Sequence, residues 1–458
     1  MRDEEEAGMG KRSGEEKVLS RRRFLAKGAA FTFAAAVTGP GLTLLSGCGG
    51  DEGGGGGANL RWSMWADSPA EKEVWQQLAN RVTDVHPDIK VTLETYTFTN
   101  YWDKLQTQLA SETQADIVAM QALRMPGFAV RNALQPLQPL MEDDADFDFN
   151  DFFPVIEKGL SFGNEVYALS YDLGPPVLFY NKDRFKEADV PTPSPTEPMT
   201  WEQFRDTAAA LTNAQENQYG YVQDPTWDWI VPWLWSGGGD YMNAAATECT
   251  LDSPESIAAL EFIVGLFTKD KVAAPITDLA NPNSGQEAFF SGNVGMHLNG
   301  IWQSINVQES SDFDWDIVPL PAGEAGSVGW VNGSGFGVSS ATEYTEQAWQ
   351  ALKVITSTES LKSLVEAGRG YPGRKSAVAA FESPELPPPN DTMVQKVLNG
   401  DIGEVRPYRV TTNWQETDLM LTQRFIPVLL GQKSVRGAVA DTVPKFDELL
   451  QEHQETVS

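Results

Sequence analysis

The residues that most often carry catalysis are sparse and badly spaced in this chain. His86, His297 and His453 are scattered, and Cys48 and Cys249 stand far apart. No HExxH, CxxC or GxSxG pattern occurs, so the spacings of a zinc peptidase, a dithiol centre or a serine-hydrolase elbow are missing. Gly333-Ser-Gly-Phe-Gly is not GxGxxG, and its glycines fit a turn or a close backbone approach. Cys249 has no evident His partner and reads as a small buried hydrophobe. Asp and Glu number 64, so a pair flanking one glycosidic bond can be drawn, and a secreted glycosidase stays open. In Glu142–Asp151, EDDADFDFND, Asp144, Asp146 and Asp148 have calcium-loop spacing. Phe149 and Val155 then occupy the places of the loop's Gly and terminal Glu. A solvated capping loop is expected there, with no metal and no cofactor anywhere.

A second kind of chemistry is written at the start. Ser20-Arg-Arg-Arg-Phe-Leu precedes an apolar run that Gly39, Pro40 and Gly41 interrupt, too short for a stable span. That is the pattern of a signal peptide. The arginines resemble a twin-arginine export signal. Leu45-Ser-Gly-Cys48 resembles a lipobox, whose cysteine is diacylated and becomes the mature N-terminus. Residues 1–47 are thus expected to be a signal peptide, with Met1 or Met9 as the start. Cys48 is the expected lipidation site, since stable anchoring takes more than one acyl chain. Residues 48–58 would form a Gly-rich flexible tether. The protein is expected outside the cell, anchored on the outer face of the cytoplasmic membrane or the periplasmic side.

Charge narrows the partners. The chain carries 34 basic and 64 acidic side chains, net −30; residues 1–47 hold eight and six of these, so the remainder carries 26 and 58, net −32. Such a surface disfavours nucleic acid, which is bound through cationic phosphate contacts, and anionic lipid beyond the anchor. About 400 residues after the tether exceed one ordinary core, so two domains are expected. A monomer is expected, without an intrachain disulfide.

The elements that must position any site follow from pattern. Asn59–Met64 alternates as a strand. Ser68-Pro69 starts a helix over Ala70–Val85. Ile89–Tyr96 is a strand, Tyr101–Ser111 a helix and Ala115–Met120 a buried strand. This strand–helix alternation predicts a parallel sheet with covering helices, an α/β fold. Further on, Thr200–Leu211 is a helix with a Thr200/Gln203 capping box, and Ser253-Pro254 starts another over Ser256–Phe267. Strands are expected at Gly295–Asn299 and Trp315–Pro319. Helices are expected at Glu343–Ile355, Glu359–Ala367 and Thr417–Leu430.

The residues from Ala168 to Lys186, ALSYDLGPPVLFYNKDRFK, resemble the "LPYD…LYYNKDLFKKAG" stretch of extracellular solute-binding proteins of ABC sugar importers (family 1, maltose-binding-protein-like). So do Thr200-Trp-Glu-Gln-Phe, Ala288–Trp302, Pro319-Leu-Pro with Gly333-Ser-Gly-Phe-Gly-Val-Ser, and Ala367-Gly-Arg-Gly-Tyr-Pro-Gly-Arg-Lys-Ser. Their order and spacing hold over nearly all of the mature chain. The resemblance implies a two-lobed periplasmic-binding-protein fold, type II-like, with a ligand cleft between lobes joined by hinge crossovers. It places lobe I at 59–173 and 316–370 and lobe II at 174–315 and 371–458, with hinges near Asp172–Pro175, Trp315 and Gly370. Closure of the lobes would present the loaded protein to ABC transporter permease subunits. The expected ligand is a mono- or oligosaccharide. Glycerol phosphate, a polyamine or a peptide would suit the same fold.

A sugar offers apolar C–H faces to aromatic rings and hydroxyls that need partners once water leaves. Trp and Tyr interleaved with polar residues at loop positions after strands are therefore the candidates. They are Trp65 and Asp67 after the first strand, and Gln121 and Arg124 after the third. Asp172 lies at the proposed hinge. Asp224 and Trp227, Asn299 and Trp302, and Trp330 with Asn332 follow. Tyr371, Arg374 and Trp414 complete the set. The resemblance puts Trp227, Trp302 and Trp414 in segments that present aromatics to sugar, whereas Met120 stands where some relatives have tryptophan. Trp229, Trp233 and Trp235 read as core. Arg124 and Arg374 could instead grip an anion bidentately.

Overall fold

The computed structural model describes residues 57–277, 281–381 and 391–458. The expected signal peptide, Cys48 and nearly all of the expected tether lie outside them. At the start of the described chain the alternation expected of a half-buried strand gives Ala58–Trp65, with Leu60, Trp62 and Met64 buried. Ser68 Oγ accepts the Glu71 N–H at 3.2 Å, and Pro69 opens the helix Pro69–Val85. Val74, Trp75, Leu78 and Val82 form its buried stripe.

Ala58–Trp65 pairs in parallel with Ile89–Tyr96 and Ile117–Gln121, as the strand–helix alternation predicts. Val328–Val338 then inserts antiparallel between Ile117–Gln121 and Leu169–Gly174. Tyr371–Pro372 and Glu404–Pro407 complete a seven-stranded mixed sheet. Trp62, Trp75, Tyr171 and Phe336 fill its core; Trp62 meets Phe336 edge to face at 5.0 Å and Tyr171 stacks on it at 4.7 Å. The second sheet has four strands, in the order Trp315–Val318, Pro176–Asn181, Val294–Gly300, Tyr219–Gln223. Phe204, Tyr221 and Trp233 pack beneath it, and Trp233 Nε1 donates to Gln223 Oε1.

The chain leaves the first sheet at Gly174 and enters the second at Pro176. Two expected boundaries shift. Trp315–Val318 pairs antiparallel with Asn181–Leu178, so residues 316–318 belong to the second sheet and the return comes before Val328. Tyr371–Pro372 pairs with Leu173–Asp172 and Arg374 bridges to Phe152, so this stretch stays with the first sheet. Gly370, with φ +128°, turns the backbone beside Trp302, in a conformation that favours glycine.

The acidic loop is a structural tie. Asp144 accepts from Trp349 Nε1 and Lys353, Asp148 caps the turn Phe149–Asp151, and Asp151 binds Arg374 and Ser376. Among the described residues no group of three or more His, Cys, Asp or Glu is arranged for a metal ion, and no helix is long and apolar enough to cross a membrane. Cys249 is buried, which pushes its thiol up to about 12.

Candidate functional site

The segment after Ile117–Gln121 carries the first side's polar groups. Arg124 Nη1 donates to Gln121 Oε1 at 2.7 Å. The guanidinium lies over Trp102, 4.6 Å from the ring centre, and 5.5 Å from that of Phe98. Trp65 packs under the same group against Phe98, Tyr101 and Trp102. Asp67 accepts the Phe98 N–H and so pins this aromatic helix to the first strand's loop.

The second side supplies an aromatic wall. Trp302 stacks on Trp330 at 5.7 Å, and Trp229 lies 5.8 Å from Trp330 and 6.3 Å from Trp302. Trp229 and Trp330 are buried, while Trp302 keeps part of its ring exposed. Trp330 Nε1 donates to the Asp228 carbonyl, and the Tyr408 hydroxyl donates to Asp228 Oδ1 at 3.0 Å. Tyr408 in turn packs on Trp330 and Trp414.

The two sides meet here. Leu123 is buried in the second core, and a Cβ on Gly127 would come within 2.8 Å of the Thr412 carbonyl oxygen. A small cleft of about 60 Å³ lies at this junction, with Arg124, Phe128 and Arg131 on one side and Thr411, Asn413 and Trp414 on the other. Asp228 and Asp418, from the second side, act electrostatically on Arg124. Burial first, and Asp228 second, push Asp418 up to about 8; burial also raises Asp228, with Arg124 and Tyr408 opposing. Asp418 Oδ1 and Arg124 Nε are buried without a hydrogen-bond partner among the described residues.

Of the fourteen candidate residues, Gln121, Arg124, Trp302, Trp330 and Trp414 gather around this junction, with Trp65 and Asp67 supporting it; Asn332 is buried in the first sheet opposite Gly174. Six others are engaged elsewhere. Asp172 accepts the Ser334 N–H and faces Arg369 at 3.6 Å, with burial pushing it up to about 6. Asp224 Oδ1 accepts the Gly285 and Gln286 N–H groups at the start of the helix Ser284–Phe290. Asn299 links Asp224 to buried His297. Trp227 has no exposed surface and packs against Tyr241 and Phe425. Tyr371 packs between Phe153 and Phe381. Arg374 is held by Asp151 and the Thr356 carbonyl, which leaves no open fork for an anion. Trp229, Trp233 and Trp235 are all buried in the second core, as their spacing predicts, and Trp229 also touches Trp302 and Trp330. Asp228, Tyr408 and Asp418 are absent from the sequence reading. Asp418 had a signal: it follows Trp414 by four residues, one turn along the same helix face.

Residues 66–362 match the model of the bacterial extracellular solute-binding protein family, and the chain belongs to that family. An uncharacterized lipoprotein from the oleD 5′ region of Streptomyces antibioticus is 26% identical over 67% of this chain and 68% of its own length. The chain spans about two thirds of the length of the curated relatives it matches. Among solved structures, the ABC substrate-binding protein Lmo0181 of Listeria monocytogenes, in complex with cycloalternan, superposes with TM-score 0.79 at 24% identity, covering 86% of this chain and 99% of that one. UgpB of Mycobacterium tuberculosis, in complex with glycerophosphocholine, gives 0.73 at 18% identity, covering 86% and 98%. The fold is thus the two-lobed α/β fold of solute-binding proteins.

Proposed function

We propose that this protein captures a carbohydrate outside the membrane and hands it to an ABC permease by closing its lobes on the ligand. The observation that carries this reading is the wall of Trp229, Trp302 and Trp330 set beside Asp228, Tyr408, Asp418 and Arg124. Trp302, the ring of the three that keeps exposed surface, takes the C–H face of a pyranose with Trp229 and Trp330 packed beside it, and the polar group takes hydroxyls once water is expelled. The cycloalternan bound by the Listeria neighbour supports the same ligand class. Glycerol phosphate, though close to the ligand of UgpB, fits poorly. Asp228 and Asp418, both half-buried, outnumber Arg124, and a phosphate would add repulsion. In this reading the ligand leaves unchanged, Cys48 holds the lipid, the twin-arginine segment directs export, and the protein works as a monomer.

Equilibrium dialysis of the full chain against labelled oligosaccharides tests the capture step. Saturation by one class with ligand recovered at its original chain length supports it; shortened products would mean a glycosidase. For the anchor, Cys48→Ser should move the protein from the membrane fraction to the medium, and an unchanged distribution would remove Cys48 from that role.

A further inference from the structure

A buried ion cluster lies behind Trp302. The helix Thr358–Glu366 ends with the Arg369 N–H on the Leu364 carbonyl and the Gly368 N–H on the Val365 carbonyl. Such an end commonly makes an apolar contact where Arg369 stands. Here the guanidinium turns inward, and Arg369, Glu71 and Asp172 are all buried. Arg369 Nε lies 3.4 Å from Glu71 Oε1, and Nη1 lies 3.6 Å from Asp172 Oδ2. The ring centres of Trp75 and Tyr171 are each 5.8 Å from the guanidinium carbon. Both nitrogens lack a hydrogen-bond partner among the described residues, so charge and ring faces hold the group.

The elements it joins lead to both sides of the cleft. Glu71 Oε2 accepts the Asp67 N–H at 2.7 Å, and Asp67 accepts the N–H of Phe98, whose ring lies under Arg124. Asp172 lies in the strand Leu169–Gly174, at whose end the chain leaves the first sheet. On the other side, the Gly368 carbonyl accepts the Ile305 N–H at 3.1 Å. A Cβ on Gly370 would lie 3.5 Å from Trp302 Cα. The turn that carries Arg369 is therefore what the Trp302 backbone rests on. A buried ion pair adds little stability over well-packed apolar residues, and its better-attested use is to fix one arrangement. We propose that Arg369 is a positioning residue for Trp302. Held by Glu71 and Asp172, it fixes the turn Gly368–Gly370 and so sets where that ring meets the saccharide. This inference rests on the carbohydrate reading.

The test is a double-mutant cycle on the full chain, read by calorimetry. Wild type is first titrated with maltotriose, cellotriose and lactose, and the sugar that saturates it serves for the cycle. Arg369→Lys keeps the charge but lacks the fork that reaches both carboxylates. It should weaken binding about five-fold with Trp302 present, and less than about two-fold in the Trp302→Ala chain. If Arg369→Lys does not fold, Glu71→Gln takes its place with the same pattern expected. That variant keeps an acceptor for the Asp67 N–H and removes the charge facing Arg369 Nε. An equal loss in both chains would mean that Arg369 acts on the fold at large, overturning this inference and leaving capture standing. Unchanged affinity in the single variant would do the same. A wild type that binds none of the sugars would overturn the carbohydrate reading and this inference with it.

Discussion

Asp224 shows how a residue with the right chemistry serves the fold. Its carboxylate accepts two backbone N–H groups at a helix start and the Asn299 amide. Burial, opposed by those N–H bonds, pushes it from the ordinary carboxylate range up to about 7. A folded-state value above the unfolded one favours folding at low pH, and that contribution is lost as pH rises from about 4 to about 7. Asp224→Asn keeps an acceptor without the charge and should flatten thermal stability across that window. Asp224→Ala leaves two donors unpaired and should lower stability by about 2 kcal/mol in denaturant melts; a variant as stable as the parent would show the cap is unimportant. The tryptophans divide the same way. Trp302→Ala should weaken saccharide binding on the order of ten-fold, about 1.4 kcal/mol, with little change in Tm. Trp227→Ala should cost about 3–5 kcal/mol of stability. The opposite pattern, read from calorimetry and melts, would exchange their roles. Sequence shows that Trp and Asp alternate in Asp224–Trp229, but not which way each ring points, because that depends on neighbours from distant segments such as Phe425 and Trp330.

Elements were more legible than residues where the signal is local. Thr200 and Gln203 form the capping box their spacing predicts, each bonding the other's backbone N–H. Thr200→Ala should therefore cost about 1 kcal/mol. Gly333 illustrates the close approach inferred from its run: a Cβ there would sit 2.4 Å from the Asp172 carbonyl oxygen. Gly333→Ala should force the Leu169–Gly174 and Val328–Val338 strands apart and lower the melting temperature by more than Thr200→Ala does. The reverse ranking in thermal melts would contradict that packing. The antiparallel entry of Val328–Val338 into the first sheet has no local signal, since strand order is set by long-range pairing. Pro444 lies inside the helix Val435–Val457, where local rules end a helix. Burial of Val439, Phe446 and Leu450 overrides them.

For the whole molecule, length predicts two domains, and the family motifs predict lobes with a cleft, but not where the lobes touch. Contact of Leu123 and Gly127 with the far side depends on how two separately built sheets meet. The same contact brings Arg124 within electrostatic reach of Asp228 and Asp418, so the proposed site draws on both sides of the junction. The net charge of −30 keeps anionic partners away from the surface. The central claim is capture of a saccharide between the lobes, and a tryptophan-fluorescence titration of the full chain tests it most directly, since the partly exposed Trp302 packs on the buried Trp229 and Trp330, and Trp414 lines the cleft. Titrated with saccharides and with glycerol phosphate, the account predicts a saturable change with one saccharide class and none with the phosphate. Saturation by glycerol phosphate, with saccharides silent, would contradict it.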